Sequence, residues 1–229
     1  MKQPGYRHEL KYYINQGNYT LLSNRLRLTM ELDKYCRKNG EYFIRSLYFD
    51  DWDNNAFRTK LEGVDDRDKY RIRIYNFTDS AIKLECKHKE NSYILKNSLM
   101  ITREEAESLI AGDFDFLLQR PEPFAKIMYF NFRTKLLKPR VIVDYSREAY
   151  VFPLEDIRVT FDKNVRTAFR TTDLFERAIP TYPVVQDYDM IMEVKFNRYL
   201  STYIRDLIQI SSAQHSAISK YCLCRKFEL

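Results

Sequence analysis

The chain has 229 residues, of which 45% are hydrophobic and 15% aromatic, enough to bury a substantial core in a single domain over residues 1–229. Its 38 lysines and arginines exceed its 32 aspartates and glutamates, and the net charge of +6 favours an anionic partner. The small content of glycine and proline, five and seven residues, argues against a disordered or low-complexity protein. Since no window approaches 18 uninterrupted apolar residues, the sequence predicts no membrane span.

The cysteines and the N-terminal segment indicate the compartment. Cys36, Cys86, Cys222 and Cys224 lack the spacing of a zinc site. The first residues, MKQPGYRHELKYY, contain no apolar core of a signal peptide. We therefore expect reduced thiols in a cytoplasmic protein. We do not expect nucleic acid as the partner, because the basic charge is accompanied by neither a zinc motif nor an RNA-binding motif.

The predicted elements, taken in chain order, mix strands with helices. Alternation of apolar and polar residues predicts strands at 6–13, 42–50, 69–77, 81–89, 92–97, 139–147, 157–163, 183–188 and 190–197. Amphipathic patterns predict helices at 15–30, at 103–110 behind a Thr102 capping box, across 114–130 with a break at the prolines, and at 199–212 and 214–222. Short connections such as 76–80 favour hairpins and antiparallel pairing. The pattern predicts an α+β fold with a large antiparallel sheet or barrel.

Four predicted strands carry charged residues on one face and apolar residues on the other. In DKYRIRIYN, the cations Lys69, Arg71 and Arg73 lie side by side with no acid between them. Adjacent like charges on a strand are unfavourable unless an anion binds between them. The other three strands present Arg7, Glu9 and Lys11; Lys83, Glu85, Lys87 and Lys89; and Glu193 and Lys195.

Two interpretations of these faces are open. An ordinary sheet with a solvated, ion-paired outer face explains any one of the strands. For the set, a closed barrel with the charged faces inside is the alternative, and such a lumen would be a hydrated tunnel filled by a polyanion, because unpaired buried charges are unfavourable. One carboxylate per strand among many cations is what a divalent metal bound together with phosphate oxygens needs.

Seven short motifs, in the same order along the chain, resemble those of the VTC domain. That domain is the polyphosphate polymerase member of the CYTH, or triphosphate tunnel metalloenzyme, superfamily. The motifs are R-x-E-x-K-Y from Arg7 to Tyr12, R-x-R at Arg71 and Arg73, L-E-C-K at 84–87, Tyr145-x-Arg147, Arg158-V-T-F-D, M-E-V-K-F at 192–196 and Ser219-Lys220-Tyr221.

The resemblance implies an antiparallel β-barrel, the tunnel fold, with a charged lumen and with helices packed outside. It implies catalytic roles for Arg71, Arg73, Lys87 and Lys220. Phosphate-binding roles would go to Arg7, Lys11, Lys69, Lys83, Arg147, Arg158 and Ser219, of which Lys83 and Arg158 are wall residues. Glu193 would bind Mn²⁺ or Mg²⁺, with Glu9 or Glu85 as a second ligand. Arg7 stands where hydrolytic relatives have an acid, which favours synthesis over hydrolysis.

The function expected from this resemblance is transfer of the ATP γ-phosphate to a growing polyphosphate chain. Its partners would be ATP and inorganic polyphosphate, and a membrane partner would be needed to couple synthesis to transit across a membrane. Two alternatives remain open at this point. One is a tripolyphosphatase or nucleoside triphosphatase on the same fold, and the other is a non-catalytic module that binds polyphosphate or inositol phosphates.

Overall fold

The computed structural model describes residues 8–36, 38–91, 93–185, 190–197, 199–210 and 216–228. The predicted strand at 183–188 and the last two predicted helices therefore lie partly outside the described residues, as does Arg7. The described strands are β1 (His8–Ile14), β2 (Glu31–Leu32), β3 (Tyr42–Asp50), β4 (Arg67–Tyr75), β5 (Thr78–Glu90), β6 (Tyr93–Ile101), β7 (Lys138–Phe152), β8 (Ile157–Ala168), β9 (Thr181–Pro183) and β10 (Met190–Phe196). The described helices are α1 (Gln16–Arg27), α2 (Asn55–Leu61), α3 (Arg103–Ala111), α4 (Phe116–Gln119), α5 (Pro123–Lys135), α6 (Thr202–Ile208) and α7 (Lys220–Glu228).

Local sequence signals explain where several elements begin and end. The Asn15 side chain caps α1 by accepting a hydrogen bond from the backbone N–H of Asn18 at 2.8 Å. The predicted capping box of Thr102 and Glu105 starts α3, and Gly112, with φ +95°, ends it. Between β4 and β5, Asn76 and Phe77 both adopt positive φ, which gives a tight hairpin turn whose twist matches the strands.

The sheet is antiparallel, and its strands pair in the order β1-β10-β8-β7-β3-β4-β5-β6. It curls so that its two end strands approach each other. The His8 ring of β1 lies 5.7 Å from the Tyr93 ring of β6, and Glu9 of β1 forms an ion pair with Lys87 of β5. The predicted α+β tunnel fold is thus confirmed, as a sheet curled into a half-barrel.

Helices cover the outer, convex face of the sheet, as predicted. Apolar residues of β4, β5 and β6 pack against α3, α4 and α5, whose buried contributions include Leu109, Leu117 and Phe132. At the other end of the sheet, β1, β8 and β10 pack against α1 and α6. In the described part of the chain, none of the helices combines the length and the apolar character that crossing a bilayer requires.

Helix α7 lies on the concave side. On α7, Tyr221, Cys222 and Cys224 join an apolar cluster with Tyr48 and Val143, whose strand positions face inward. All four cysteines of the chain are described, and all four are free and buried. The segment that leads into α7, Ile218 to Lys220, therefore runs directly along the inner face of the sheet.

Candidate functional site

The inward faces of the strands enclose a cavity of about 650 Å³. Among the described residues, eleven lysines and arginines line it, against two glutamates. The cations are Lys11, Lys69, Arg71, Arg73, Lys83, Lys87, Lys96, Arg147, Arg158, Lys195 and Lys220, and the glutamates are Glu9 and Glu193. The charged faces of the strands therefore converge on one cavity instead of pointing into bulk solvent.

The charged side chains converge on the cavity because charged and apolar residues alternate along each strand. On β4, Arg71 and Arg73 point inward while Tyr70, Ile72 and Ile74 are buried on the outer side. The β4–β5 register places Arg71 opposite Glu85 and Arg73 opposite Lys83. Because side chains alternate with a period of two, a slip of one residue would turn every cation toward the apolar core.

Glu193 of β10 is the centre of the most highly charged cluster in the cavity. Its carboxylate lies 2.7 Å from the Lys220 Nζ and 3.5 Å from both the Lys11 Nζ and an Arg147 nitrogen. Asp162 of β8, fully buried, forms a bidentate pair with Arg147 at 2.6 and 2.7 Å and also contacts Lys220.

Neighbouring cations set the protonation of this cluster. Burial alone would raise the pKa of Glu193, but Lys220, Lys195 and Lys11 together lower it well below its usual range. Burial likewise opposes protonation of Lys220, yet Asp162 and Glu193 raise its pKa. Lys220 and Glu193 are therefore both charged at neutral pH.

Glu9 of β1 links its end of the sheet to β5, the neighbour of the opposite end strand. Its carboxylate lies 2.6 Å from Lys87 of β5, 3.5 Å from Lys11 and 3.4 Å from Lys195. Burial would raise the pKa of Glu9, but the three lysines lower it well below its usual range. Since Lys11 and Lys195 also contact Glu193, at 3.5 and 3.1 Å, two lysines bridge the two lining carboxylates.

Glu85 has a different position from the other two glutamates. It is buried behind the cavity wall, where Arg71 binds it at 2.6–2.7 Å and Lys96 contacts its other oxygen. An Arg73 nitrogen lies 3.8 Å away. Burial opposes ionisation of Glu85, but Arg73, Arg71 and Lys96 lower its pKa. Glu85 is thus a counter-ion that positions Arg71 and Arg73.

Lys69 and Ser219 meet where the chain enters α7. The Lys69 Nζ donates to the Ser219 Oγ at 2.7 Å and lies 5.7 Å from the centre of the Tyr221 ring. Burial lowers the pKa of Lys69 to about 7, and no carboxylate of the described residues forms an ion pair with it. An anion at this point would stabilise the ammonium form of Lys69.

The remaining predicted residues line the wall. Lys83 lies 5.5 Å from the centre of the Tyr75 ring. Arg158 forms an ion pair with Asp33 at 3.0 Å and donates to the Tyr42 hydroxyl at 3.1 Å. Every predicted site residue except Glu85 and Arg7 lines the cavity, and Arg7 lies outside the described residues.

Sequence reasoning gave no site role to four residues of this site, although it placed Lys195 on the charged face of its strand. Asp162 ends the quoted motif Arg158-V-T-F-D and shares the parity of Arg158, so its position could have been read from the alternation. Lys195 shares the face of Glu193 in the same way. Lys96 lies on a strand predicted without a charged face, and Tyr35 lies in a turn, so no periodic signal pointed to either of them.

The donors present fit a divalent cation in part. Mg²⁺ and Mn²⁺ are commonly bound by one or two carboxylates, with substrate phosphates completing the shell. Glu193 and Glu9 both line the cavity and share two lysines, which fits that pattern. Glu85 does not fit it, because arginines and a lysine surround its carboxylate. Among the described residues, no group of three or more His, Cys, Asp or Glu side chains could hold a metal alone.

Comparison with solved structures shows the same fold in proteins of very different sequence. One is a protein from Hippeastrum described as a candidate adenylyl cyclase with a dominant triphosphatase activity, with a TM-score of 0.57 and 13% identity over 98% of this chain and 97% of that one. Another is a candidate adenylate cyclase from Bacillus halodurans, with a TM-score of 0.53 and 12% identity over 90% and 87% of the two chains. No curated protein sequence matches the chain.

The sequence comparison is more specific than the structural one. The family model described as the VTC domain matches residues 6–228. The match covers all seven motifs and every described strand of the cavity. The chain belongs to the VTC domain family.

Proposed function

We propose that the protein is a polyphosphate polymerase-type phosphotransferase. It transfers the γ-phosphate of ATP to the end of a polyphosphate chain that lies in the cavity. Family membership supports a substrate of the triphosphate or polyphosphate class. ATP as the donor, synthesis as the direction, a cytoplasmic location and a membrane partner are the finer parts of this proposal.

The main support for this proposal is the excess of positive charge in the cavity. Eleven cations and two glutamates line the described part of the wall. Even with Glu85 and Asp162 counted behind it, the cations are in large excess, and their mutual repulsion destabilises the empty protein. A polyanion with one charge per phosphate relieves that repulsion along the whole length of the cavity, which a single small anion cannot do.

The state of the lining carboxylates favours phosphate over water as the acceptor. Water must lose a proton in order to attack, and an efficient general base has a pKa near the working pH. The pKa values of Glu9 and Glu193 are both held well below the usual range by lysines. The terminal phosphate of a polyphosphate chain is already anionic and needs no such base.

In the proposed reaction each lining group has a role. Arg71, Arg73, Lys87 and Lys220 surround the transferred phosphoryl group and neutralise charge as the acceptor oxygen attacks in line. The chain and the remaining donor phosphates lie against Lys11, Lys69, Arg147 and the Ser219 hydroxyl. A divalent cation on Glu193, with Glu9 as a second ligand, would neutralise phosphate oxygens and align them. No side chain acts as a covalent nucleophile.

Incubation with ATP and Mn²⁺ or Mg²⁺ tests the proposal. The wild-type protein is expected to produce long polyphosphate chains. Arg73→Ala should lower the rate of synthesis about 30- to 1,000-fold, because one charge-assisted contact in a closed site is lost. Arg103 lies on the surface, so Arg103→Ala is the matched control and should leave the rate of synthesis unchanged. Orthophosphate as the sole product would favour the hydrolase, and tight binding of polyphosphate without turnover would favour the binding module.

A further inference from the structure

One end of the cavity carries a cluster of tyrosines, Tyr35, Tyr42 and Tyr75, which we call the tyrosine mouth. The rings of Tyr35 and Tyr42 lie 6.3 Å apart at 68°, and those of Tyr42 and Tyr75 lie 6.1 Å apart at 53°. All three line the cavity, and Tyr35 is 67% exposed. When an aromatic ring lines a cavity and most of its surface is exposed to solvent, a planar ligand can stack on it.

The turn that carries Tyr35 is tied to the phosphate-binding wall. The Asp33 carboxylate accepts the backbone N–H of Tyr35 at 2.9 Å and pairs with Arg158 at 3.0 Å. Arg158 in turn donates to the Tyr42 hydroxyl. Lys34 adds a second cation 5.0 Å from the centre of the Tyr35 ring. The Tyr35 ring and the first phosphate-binding cations are therefore connected by one set of hydrogen bonds and ion pairs.

The other tyrosines that line the cavity are not available in this way. Tyr48 and Tyr221 stack on each other at 5.1 Å, and the Tyr221 hydroxyl donates to Asp50. Tyr145 is 3% exposed and accepts a hydrogen bond from Arg73 at 3.3 Å. Among the described aromatic side chains of the wall, Tyr35 alone is mostly exposed.

We infer that the tyrosine mouth binds the nucleoside half of the donor nucleotide, with the base stacked on Tyr35. This inference rests on the proposed function. The phosphates then run inward past Arg158 and Lys83 toward Arg147 and Arg73, so the donor enters at this end and the polyphosphate chain occupies the end near Lys69 and Ser219. Because stacking uses the face of the base and not its edge, the site accepts purine nucleotides with little discrimination between them.

Binding of ATP and of inorganic tripolyphosphate, measured side by side by calorimetry, tests the inference. Tyr35→Ala should weaken ATP binding about 5- to 150-fold, as expected for the loss of one stacking ring, and leave tripolyphosphate binding unchanged. Tyr35→Phe keeps the ring and should restore ATP binding. Tyr203→Ala, which removes a tyrosine of α6 that is 56% exposed and lies outside the cavity, should change neither ligand.

The possible results separate this inference from the proposed function. If Tyr35→Ala weakens both ligands equally, or neither, the tyrosine mouth does not bind a base, while binding of tripolyphosphate by the wild-type protein still supports the proposed function. If the wild-type protein fails to bind tripolyphosphate at all, the proposed function and the inference both fail. Equal binding of ATP and GTP that drops together in Tyr35→Ala supports stacking on this ring.

Discussion

Two glutamates of the sheet, Glu85 and Glu193, occupy similar sequences but different environments. Each lies between apolar residues, in L-E-C-K and M-E-V-K, and each points to the concave side of its strand. Glu85 lies directly opposite Arg71 in the β4–β5 ladder and is enclosed by cations. Glu193 lies opposite Lys11 and Thr160 and lines the cavity. The neighbouring strands, not the local motif, decide which carboxylate a substrate can reach.

The largest effect is expected where a counter-ion is removed from behind the wall. Glu85→Gln leaves Arg71, Arg73 and Lys96 without a buried negative charge and should lower the free energy of unfolding by about 3–5 kcal/mol. Tripolyphosphate should restore much of that stability, because it supplies the missing charge. Thermal unfolding with and without tripolyphosphate measures both effects.

An exposed ion pair is the control for this prediction. Glu107→Gln breaks a pair with Arg103 on α3 in which both side chains are about half exposed, and it should cost less than about 1 kcal/mol. Equal destabilisation by the two variants would show that Glu85 is not an essential counter-ion. Rescue of Glu107→Gln by tripolyphosphate to the same degree would lead to the same conclusion.

The second prediction concerns the glutamate that the substrate can reach. Glu193→Gln should keep the fold, because Asp162 continues to pair with Lys220 and Arg147. Phosphoryl transfer should fall about 30- to 1,000-fold, and the concentration of Mn²⁺ or Mg²⁺ needed for half-maximal rate should rise, because the carboxylate proposed to bind the metal is lost. Initial rates across a metal titration measure this. An unchanged metal dependence would remove Glu193 from the metal site.

The contrast between the two glutamates also shows what could be predicted from the sequence. Strand parity follows from alternation, so the inward positions of Arg71, Lys87 and Glu193 were predictable, and the capping box fixed the start of α3. The strand predicted at 42–50 has the same bounds as the observed β3, Tyr42–Asp50.

Features that depend on long-range pairing were not predictable in this way. Which cation meets which carboxylate depends on the register between strands far apart in sequence, such as β1 with β10. The pairing of Glu9 with Lys87 depends on how far the sheet curls. A helix start near Trp52 could be read from the sequence, but the bounds of α2 could not, because seven residues show too little periodicity. The contribution of Tyr35 comes from a turn, where no periodicity exists.

The smallest effect is expected at Lys69, which has no carboxylate partner in the described part of the chain of the kind that Glu85 gives Arg71. Its pKa is about 7 in the folded protein, against an ordinary value of 10.5. Between these values the unfolded chain binds more protons, so the stability of the free protein should rise as the pH increases above about 7. Tripolyphosphate requires the ammonium form, so its affinity should fall over the same range, by at most about tenfold per pH unit.

Thermal unfolding and tripolyphosphate binding, measured from about pH 6 to 9, should therefore change in opposite directions. Lys87, whose pKa burial lowers to about 8 against the attraction of Glu9, contributes in the same sense. Burial also lowers the pKa of Lys96, another lining lysine, to about 7. Lys69→Met removes one of these three groups and should make both pH profiles shallower without changing their sign. If both profiles stay as steep in Lys69→Met as in the wild-type protein, Lys69 is not a titrating phosphate ligand. The chain would then be held at this end by Lys11, Lys220 and Ser219 alone.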